Sequence, residues 1–196
     1  MKILITYDDS ISSEVLFPLA KWAKQFGEVT VVAPSNQCSA MSSKLTIRGS
    51  LRVDKVEDFP VPVKAAYKVN GTPVDCVKVA LHYILEEKPD YVFSGINDGY
   101  NVGYDIAYSG TLGAAFEAVM QGIPAMAFSN TMKEPMNIAE KYLTSIIQEL
   151  IEKGQGIAAT RLTPFSRAIF RLENLSINAN CPRWTQLPLI ATAIFS

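Results

Sequence analysis

Met1-Lys2-Ile3-Leu4-Ile5-Thr6-Tyr7-Asp8-Asp9-Ser10 opens the chain, and its reading decides the fold. Residues 1–6 are an apolar run rich in strand formers, with the acidic pair Asp8-Asp9 directly behind Tyr7 and a helical pattern opening near Ser12-Ser13. Two adjacent carboxylates at the end of a buried strand cost free energy through desolvation and mutual repulsion, unless a cation or proton sits between them. Ligands of open α/β sheets bind outside the carboxyl ends of the strands, so the pair is a first candidate for a metal site. A structural alternative stands beside it: Ser10, Ser12 or Ser13 caps the helix and the acidic pair favours its N-terminus.

Outward from this stretch, strands and helices alternate. Ile11 to Phe26 carries a helical stripe of Val15, Leu16, Leu19, Ala20, Trp22 and Ala23, ended by Gly27. Glu28 to Ala33 reads as a strand closed by Pro34. Thr46 to Val53 and Ala65 to Val69 read as strands around Pro60 and Pro62, at a sheet edge or in a hairpin. A helix is expected over Val74 to Leu85, a buried strand over Asp90 to Ile96, and a Gly- and Asn-rich turn from Asn97 to Gly103. Ser109-Gly110-Thr111 leads into a small-residue helix, Leu112 to Met120, then a strand, Ala125 to Ser129, and a helix, Asn137 to Glu152. This alternation predicts an α/β fold: a Rossmann-like doubly wound, mostly parallel sheet with helices on both faces.

After Gly156 the character changes. No lysine occurs beyond Lys153 and no aspartate beyond Asp105, and both hydrophobic periods fade. Two readings stay open for residues 157–196: an arm packing on a partner subunit, or sequence foreign to the domain.

Composition narrows the function. With 196 residues and 48% hydrophobic content the chain can bury a substantial core. A net charge of −1 gives no reason to expect nucleic acid or an anionic membrane as partner. The three cysteines lack any CxxC pair, which argues against a disulfide framework or zinc site and fits a cytoplasmic setting. No stretch is long enough for a membrane span. The single histidine, His82, lies on a predicted helix four residues from Glu86 and reads as a surface or structural residue.

Several polar loops follow strands that share one sheet edge: Asp8 and Asp9 after the first, Ser39 after the second, Asn97 after the later buried strand. Their donors are all oxygen and suit Mg²⁺ or Mn²⁺. Ser109-Gly110-Thr111 at a helix start offers backbone N–H groups and the positive end of the helix dipole to an anion; its structural alternative is an N-cap with a close-packed glycine. A metal facing an anion cradle is a site for phosphoryl chemistry.

These residues resemble the SurE (survival protein) family of metal-dependent nucleotidases. The family's opening Asn-Asp-Asp-Gly stands here as Tyr7-Asp8-Asp9-Ser10, and its Val-Ala-Pro loop with a following serine as Val32-Ala33-Pro34 and Ser39. Its Gly-Thr-Pro-x-Asp-Cys-Val block is Gly71 to Val77, its Ser-Gly-Ile-Asn-x-Gly-x-Asn-x-Gly block Ser94 to Gly103, and its Tyr-Ser-Gly-Thr segment Tyr108 to Thr111. The resemblance covers roughly Met1 to Ser129.

It implies a 5'-nucleotidase that hydrolyses nucleoside 5'-monophosphates to nucleoside and phosphate, with one divalent metal on Asp8, Asp9, Ser39 and Asn97. Asp8 and Asp9 are then the catalytic pair, Asn101, Ser109, Gly110 and Thr111 lie around the phosphate, and Thr72 and Asp75 brace the neighbouring loop and helix. It further implies an α/β catalytic domain over residues 1–156, a C-terminal tail, 157–196, as a truncated or altered oligomerisation arm, and a homodimer or higher homo-oligomer. Two departures carry expectations of their own. Tyr7 places bulk beside the metal and alters substrate access; Ser10 puts a β-carbon where the family permits positive φ, straining the turn.

Rival readings fit less well. A phospho-receiver domain needs an aspartate where Ser94-Gly95 stands and a lysine near Phe128-Ser129-Asn130. A haloacid-dehalogenase-type phosphatase begins with Asp-x-Asp, and a Rossmann dehydrogenase needs GxGxxG after its first strand. A catalytically impaired relative that binds metal and nucleotide is the non-enzyme alternative.

Overall fold

The computed structural model describes residues 1–130 and, beyond them, 143–144, 147–148, 151, 159–160 and 190–194. The strands are β1 (Lys2–Thr6), β2 (Glu28–Pro34), β3 (Val53–Lys55), β4 (Ala65–Val69), β5 (Tyr91–Asp98), β6 (Ala125–Asn130), β7 (Ala159–Thr160) and β8 (Ile190–Ile194). They form one sheet in the order β3-β4-β2-β1-β5-β6-β8-β7. The central pairs β4·β2, β2·β1, β1·β5 and β5·β6 are parallel, while β3·β4, β6·β8 and β7·β8 are antiparallel. This is the expected doubly wound, mostly parallel α/β sheet. From β1 the chain first runs outward to β2 and β4, then returns to β5 and β6 on the other side. The crevice between the ends of β1 and β5 is therefore the topological switch point.

Both faces of the sheet are covered. Ile3 and Ile5 of β1, and Tyr7 directly after it, meet Leu16, Leu19 and Trp22 of α1 (Leu16–Ala23), with Phe93, Phe128, Leu143 and Ile147. Leu4, Val92 and Ala125 point the other way, against α2 (Pro73–Val79) and α3 (Gly110–Met120). Each such buried aliphatic or aromatic side chain contributes roughly 1.5–3 kcal/mol.

Several element boundaries differ from expectation, and three have a clear local reason. The first helix begins at Leu16, not Ile11, because Pro18 has no N–H to donate and fits only in a first turn. Its N-cap is Val15, with no side-chain cap, so the capping serines and the acidic pair do not open this helix. The expected strand over Thr46 to Val53 reduces to Val53–Lys55: the Thr46 N–H is donated to Asp75 Oδ1 (2.9 Å) and that of Arg52 to Asn70 Oδ1, leaving no ladder to extend. The helix over Val74 to Leu85 is α2 followed by a π turn, Ala80–Ile84, closed by the Leu85 N–H on the Ala80 carbonyl.

Within the expected helix Asn137 to Glu152, Leu143 and Ile147 are buried; Ile138, Tyr142, Ile146 and Leu150 lie outside the described residues, as does Cys181. Residues 159–160 and 190–194 of the C-terminal segment join the sheet beyond β6. Among the described residues no helix is long and apolar enough to cross a membrane.

Candidate functional site

The C-terminal ends of β1, β2 and β5 lie side by side, because β1 is hydrogen-bonded to both neighbours. Asp8 and Asp9 leave β1 there and face different surroundings. Asp8 is 3% exposed, and its Oδ1 accepts the Thr111 hydroxyl (2.7 Å) from the first turn of α3. Asp9 is half-buried. Its Oδ1 accepts Gln37 Nε2 (2.9 Å) and the Ser39 hydroxyl (3.2 Å), and its Oδ2 accepts the Tyr7 hydroxyl (2.5 Å). The loop bearing Ser39 is held by its backbone, with the Cys38 N–H on the Asp8 carbonyl (2.7 Å) and the Ser42 N–H on that of Tyr108 (2.9 Å).

The loop is braced from behind by the next helix. Asp75 is fully buried; its carboxylate accepts the Thr46 N–H and hydroxyl and the Thr72 N–H, closing a capping box at the start of α2. Thr72 in turn donates its hydroxyl to the Lys44 carbonyl (2.6 Å). The expected bracing role of Thr72 and Asp75 is what these contacts perform.

Asn97 comes from β5 itself rather than from the turn after it. Thr6 pairs with Ser94, and a register shift between Ser94 and Asn97 interrupts the ladder with β6. Such a bulge re-aims the side chains that follow it. The Asn97 amide nitrogen donates to the Gly99 carbonyl (2.8 Å), which leaves Oδ1 as the atom for a ligand. Asn101 is buried and donates to Ser129 Oγ (2.9 Å).

Ser109 is the N-cap of α3, accepting the Leu112 N–H (3.1 Å), so its capping role is real. Gly110 is required for close approach: a β-carbon there would lie 3.1 Å from Asp8 Cβ and Oδ2 and 3.2 Å from the Cys38 carbonyl oxygen. Thr111 spends its hydroxyl on Asp8, which ties the acidic pair directly to the helix start.

Burial lifts the Asp8 carboxyl from 3.8 to about 6; hydrogen bonds from Thr111 oppose the rise and the Asp9 charge adds to it. Burial, then the bond to Asp9, pushes the Tyr7 phenol far above its ordinary range. Among the described residues, no lysine, arginine or histidine forms an ion pair with Asp8 or Asp9. The acidic pair is therefore uncompensated from within the described chain, and the adjacent donors are oxygen. That chemistry fits a hard divalent cation. Among the described residues no three His, Cys, Asp or Glu side chains gather, so the acidic pair would need neutral oxygen donors beside it to hold such an ion.

Tyr7 corrects one expectation. Its ring does not stand in the path to the site: it is fully buried beside Ile3 and Ile5, and only the hydroxyl reaches Asp9. Strand alternation from Ile5 is the signal that puts it there. Ser10 has φ +89°, the left-handed region foreseen for it. Gln37 carries no sequence signal that marks it as a partner of Asp9. His82 is exposed, stacked edge-on against Tyr83 and remote in role from this corner. A pocket at the opposite edge of the sheet is lined by the pairs Lys2–Glu87 and Lys64–Glu28 together with Glu86.

Comparisons with known proteins agree with this geometry. The family model for Survival protein SurE matches residues 3–193. The chain is 44% identical over 159 residues to the 5'-nucleotidase SurE of Thermoanaerobacter sp. (strain X514), covering 79% of this chain and 61% of that protein. It is 44% identical over 151 residues to the 5'-nucleotidase SurE of Chlorobium chlorochromatii (strain CaD3), covering 77% and 54%. The crystal structure of the SurE protein from Aquifex aeolicus superposes with a TM-score of 0.71 at 34% identity, covering 81% of this chain and 64% of that one. The chain thus spans about three fifths of the length of the first of these relatives. A family match across nearly the whole chain, with the same fold, means that the chain belongs to the SurE family.

Proposed function

We propose that this chain hydrolyses nucleoside 5'-monophosphates to nucleoside and phosphate, using one divalent cation, Mg²⁺ or Mn²⁺, held by Asp8, Asp9, Ser39 and Asn97. The carrying observation is the uncompensated Asp8-Asp9 pair at the β1/β5 crevice, bonded through Thr111 to the N-terminal turn of α3. The names of the relatives, 5'-nucleotidase SurE, supply the substrate class.

A cation at this place supplies Lewis acidity to a phosphoryl oxygen and acidifies water. The chain's own residues do the rest. Asp9, half-buried and the more accessible of the pair, orients the attacking water while its other contacts keep its plane fixed. Backbone N–H groups at the start of α3, with Ser109, Gly110 and Thr111, steady charge on the equatorial oxygens, helped by the helix dipole. Asn101, whose amide donates to Ser129 Oγ, is assigned to the same phosphate-binding set. Assembly as a homodimer or higher homo-oligomer belongs to the same proposal and rests on family membership alone; a monomer mass by light scattering would overturn it.

The test is phosphate release over a panel of nucleoside monophosphates, with and without Mg²⁺ or Mn²⁺, on the parent chain and Asp9→Asn. The expected result is cation-dependent turnover that falls by at least about a hundredfold in Asp9→Asn, with an unchanged far-UV spectrum. Chelator-insensitive turnover, or full activity in the variant, would overturn the assignment. Tyr7 and Ser10, which stand where the family motif has asparagine and glycine, favour a second reading, a metal- and nucleotide-binding protein without turnover. Its signature is Mn²⁺ binding with no phosphate release.

A further inference from the structure

Tyr7 is a large aromatic side chain whose polar tip ends at the acidic pair. Its ring is 0% exposed, packed in the core on the α1 side of the sheet. Its hydroxyl donates to Asp9 Oδ2 at 2.5 Å. The same oxygen accepts the backbone N–H of Asp98, the residue directly after Asn97 on β5. The phenol thus joins the end of β1 to the end of β5 across the switch-point crevice.

The polarity of this bridge is fixed by chemistry. A carboxylate only accepts and an N–H only donates, so between them a hydroxyl must donate to Asp9 and accept from Asp98. Burying a hydroxyl without partners costs about 1–3 kcal/mol, and both partners of this one lie at the acidic corner. A phenylalanine would fill the same core volume. Packing therefore accounts for the ring but not for the oxygen.

We propose that Tyr7 is a positioning residue for the cation: its buried hydroxyl sets the orientation of Asp9 and its spacing from Asn97, the two ligands on opposite sides of the crevice. This rests on the cation site argued above. Groups that orient metal ligands from behind typically change metal affinity by roughly 10–100-fold when removed.

The experiment compares the parent chain with Tyr7→Phe by electron paramagnetic resonance titration of free Mn²⁺. Both are measured at a temperature where their metal-free circular dichroism spectra coincide, and the melting of both in chelator is recorded separately. The expected result is an Mn²⁺ dissociation constant roughly 10–100-fold higher in Tyr7→Phe, with an altered spectrum of the bound ion. A dissociation constant within about threefold of the parent, whatever the melting shows, makes Tyr7 a packing residue and overturns the inference. So does a variant whose spectrum matches the parent's at no temperature. A parent chain that binds no Mn²⁺ at all instead removes the cation reading, and this inference with it.

Discussion

Asp8 and Asp9 are adjacent in the chain yet differ in what surrounds them, and the difference is energetic. Asp8 is 3% exposed, and burial raises its carboxyl from 3.8 to about 6. A folded pKa above the unfolded one means that the folded chain holds the proton more tightly. This group's contribution to metal-free stability is therefore fullest below pH 3.8, falls as the pH climbs towards about 6, and stays low beyond. Asp8→Asn removes the charge and keeps an acceptor for the Thr111 hydroxyl. It is expected to raise the metal-free stability at pH 7 by about 1–3 kcal/mol, measured by urea unfolding in chelator, while weakening Mn²⁺ binding. A variant no more stable than the parent would mean that contacts within the chain already offset the charge. At this scale the sequence was informative about placement: the acidic pair follows its apolar strand, and Ser39 is in hydrogen-bond reach of Asp9 as the shared strand edge implies. It was silent on Gln37, because a loop glutamine has no periodicity to betray its direction.

Whole elements meet the site through glycine. α3 passes so close to the Ser39 loop that a β-carbon on Gly113 would sit 2.1 Å from the Ser42 carbonyl oxygen and 2.6 Å from its carbon. Backbone cannot yield as a side-chain tip does, so Gly113→Ala must push apart the helix and the loop from Cys38 to Ser43. Overpacking of this kind costs about 1–3 kcal/mol. For a chain of this size that lowers the melting temperature by roughly 3–10 °C in a thermal scan. Because Ser39 rides on the displaced loop, Mn²⁺ affinity should fall in parallel; an unchanged melt would show that the loop moves freely. The helices were legible from apolar spacing, but the start of α1 was not. Pro18 delays α1, and Ser109, which caps α3, was readable because serine before a small-residue helix is a known opening. The edge strand over Thr46 to Val53 failed because the Thr46 and Arg52 N–H groups bond to Asp75 and Asn70, distant partners that no local pattern reveals.

The order of the strands, β4-β2-β1-β5-β6, is what makes a site out of separated segments: with β1 at the centre, the residues after it see both β2 and β5. Alternating strands and helices made that part legible. The continuation β6-β8-β7 was not, since residues beyond Gly156 lose both hydrophobic periods and their pairing is set by contact with β6. β6 is buried along its whole length, and Asn130 at its end accompanies Ser129, which holds Asn101. One side of β6 pairs with β5; the other pairs with β8 in register from Ala125 with Ile194 to Ser129 with Ile190. Removing residues 189–196 would strip that second side and leave the backbone groups of Ala125 to Ser129 unpaired. An apolar edge with open N–H and C=O groups is a template for another chain. A chain ending at Pro188 is therefore expected to lose solubility, to scatter light above the parent at equal concentration, and to melt several degrees lower. If the shortened chain instead stays monodisperse with the parent's melting temperature, the β6·β8 ladder contributes nothing net, and β6 is protected by other means.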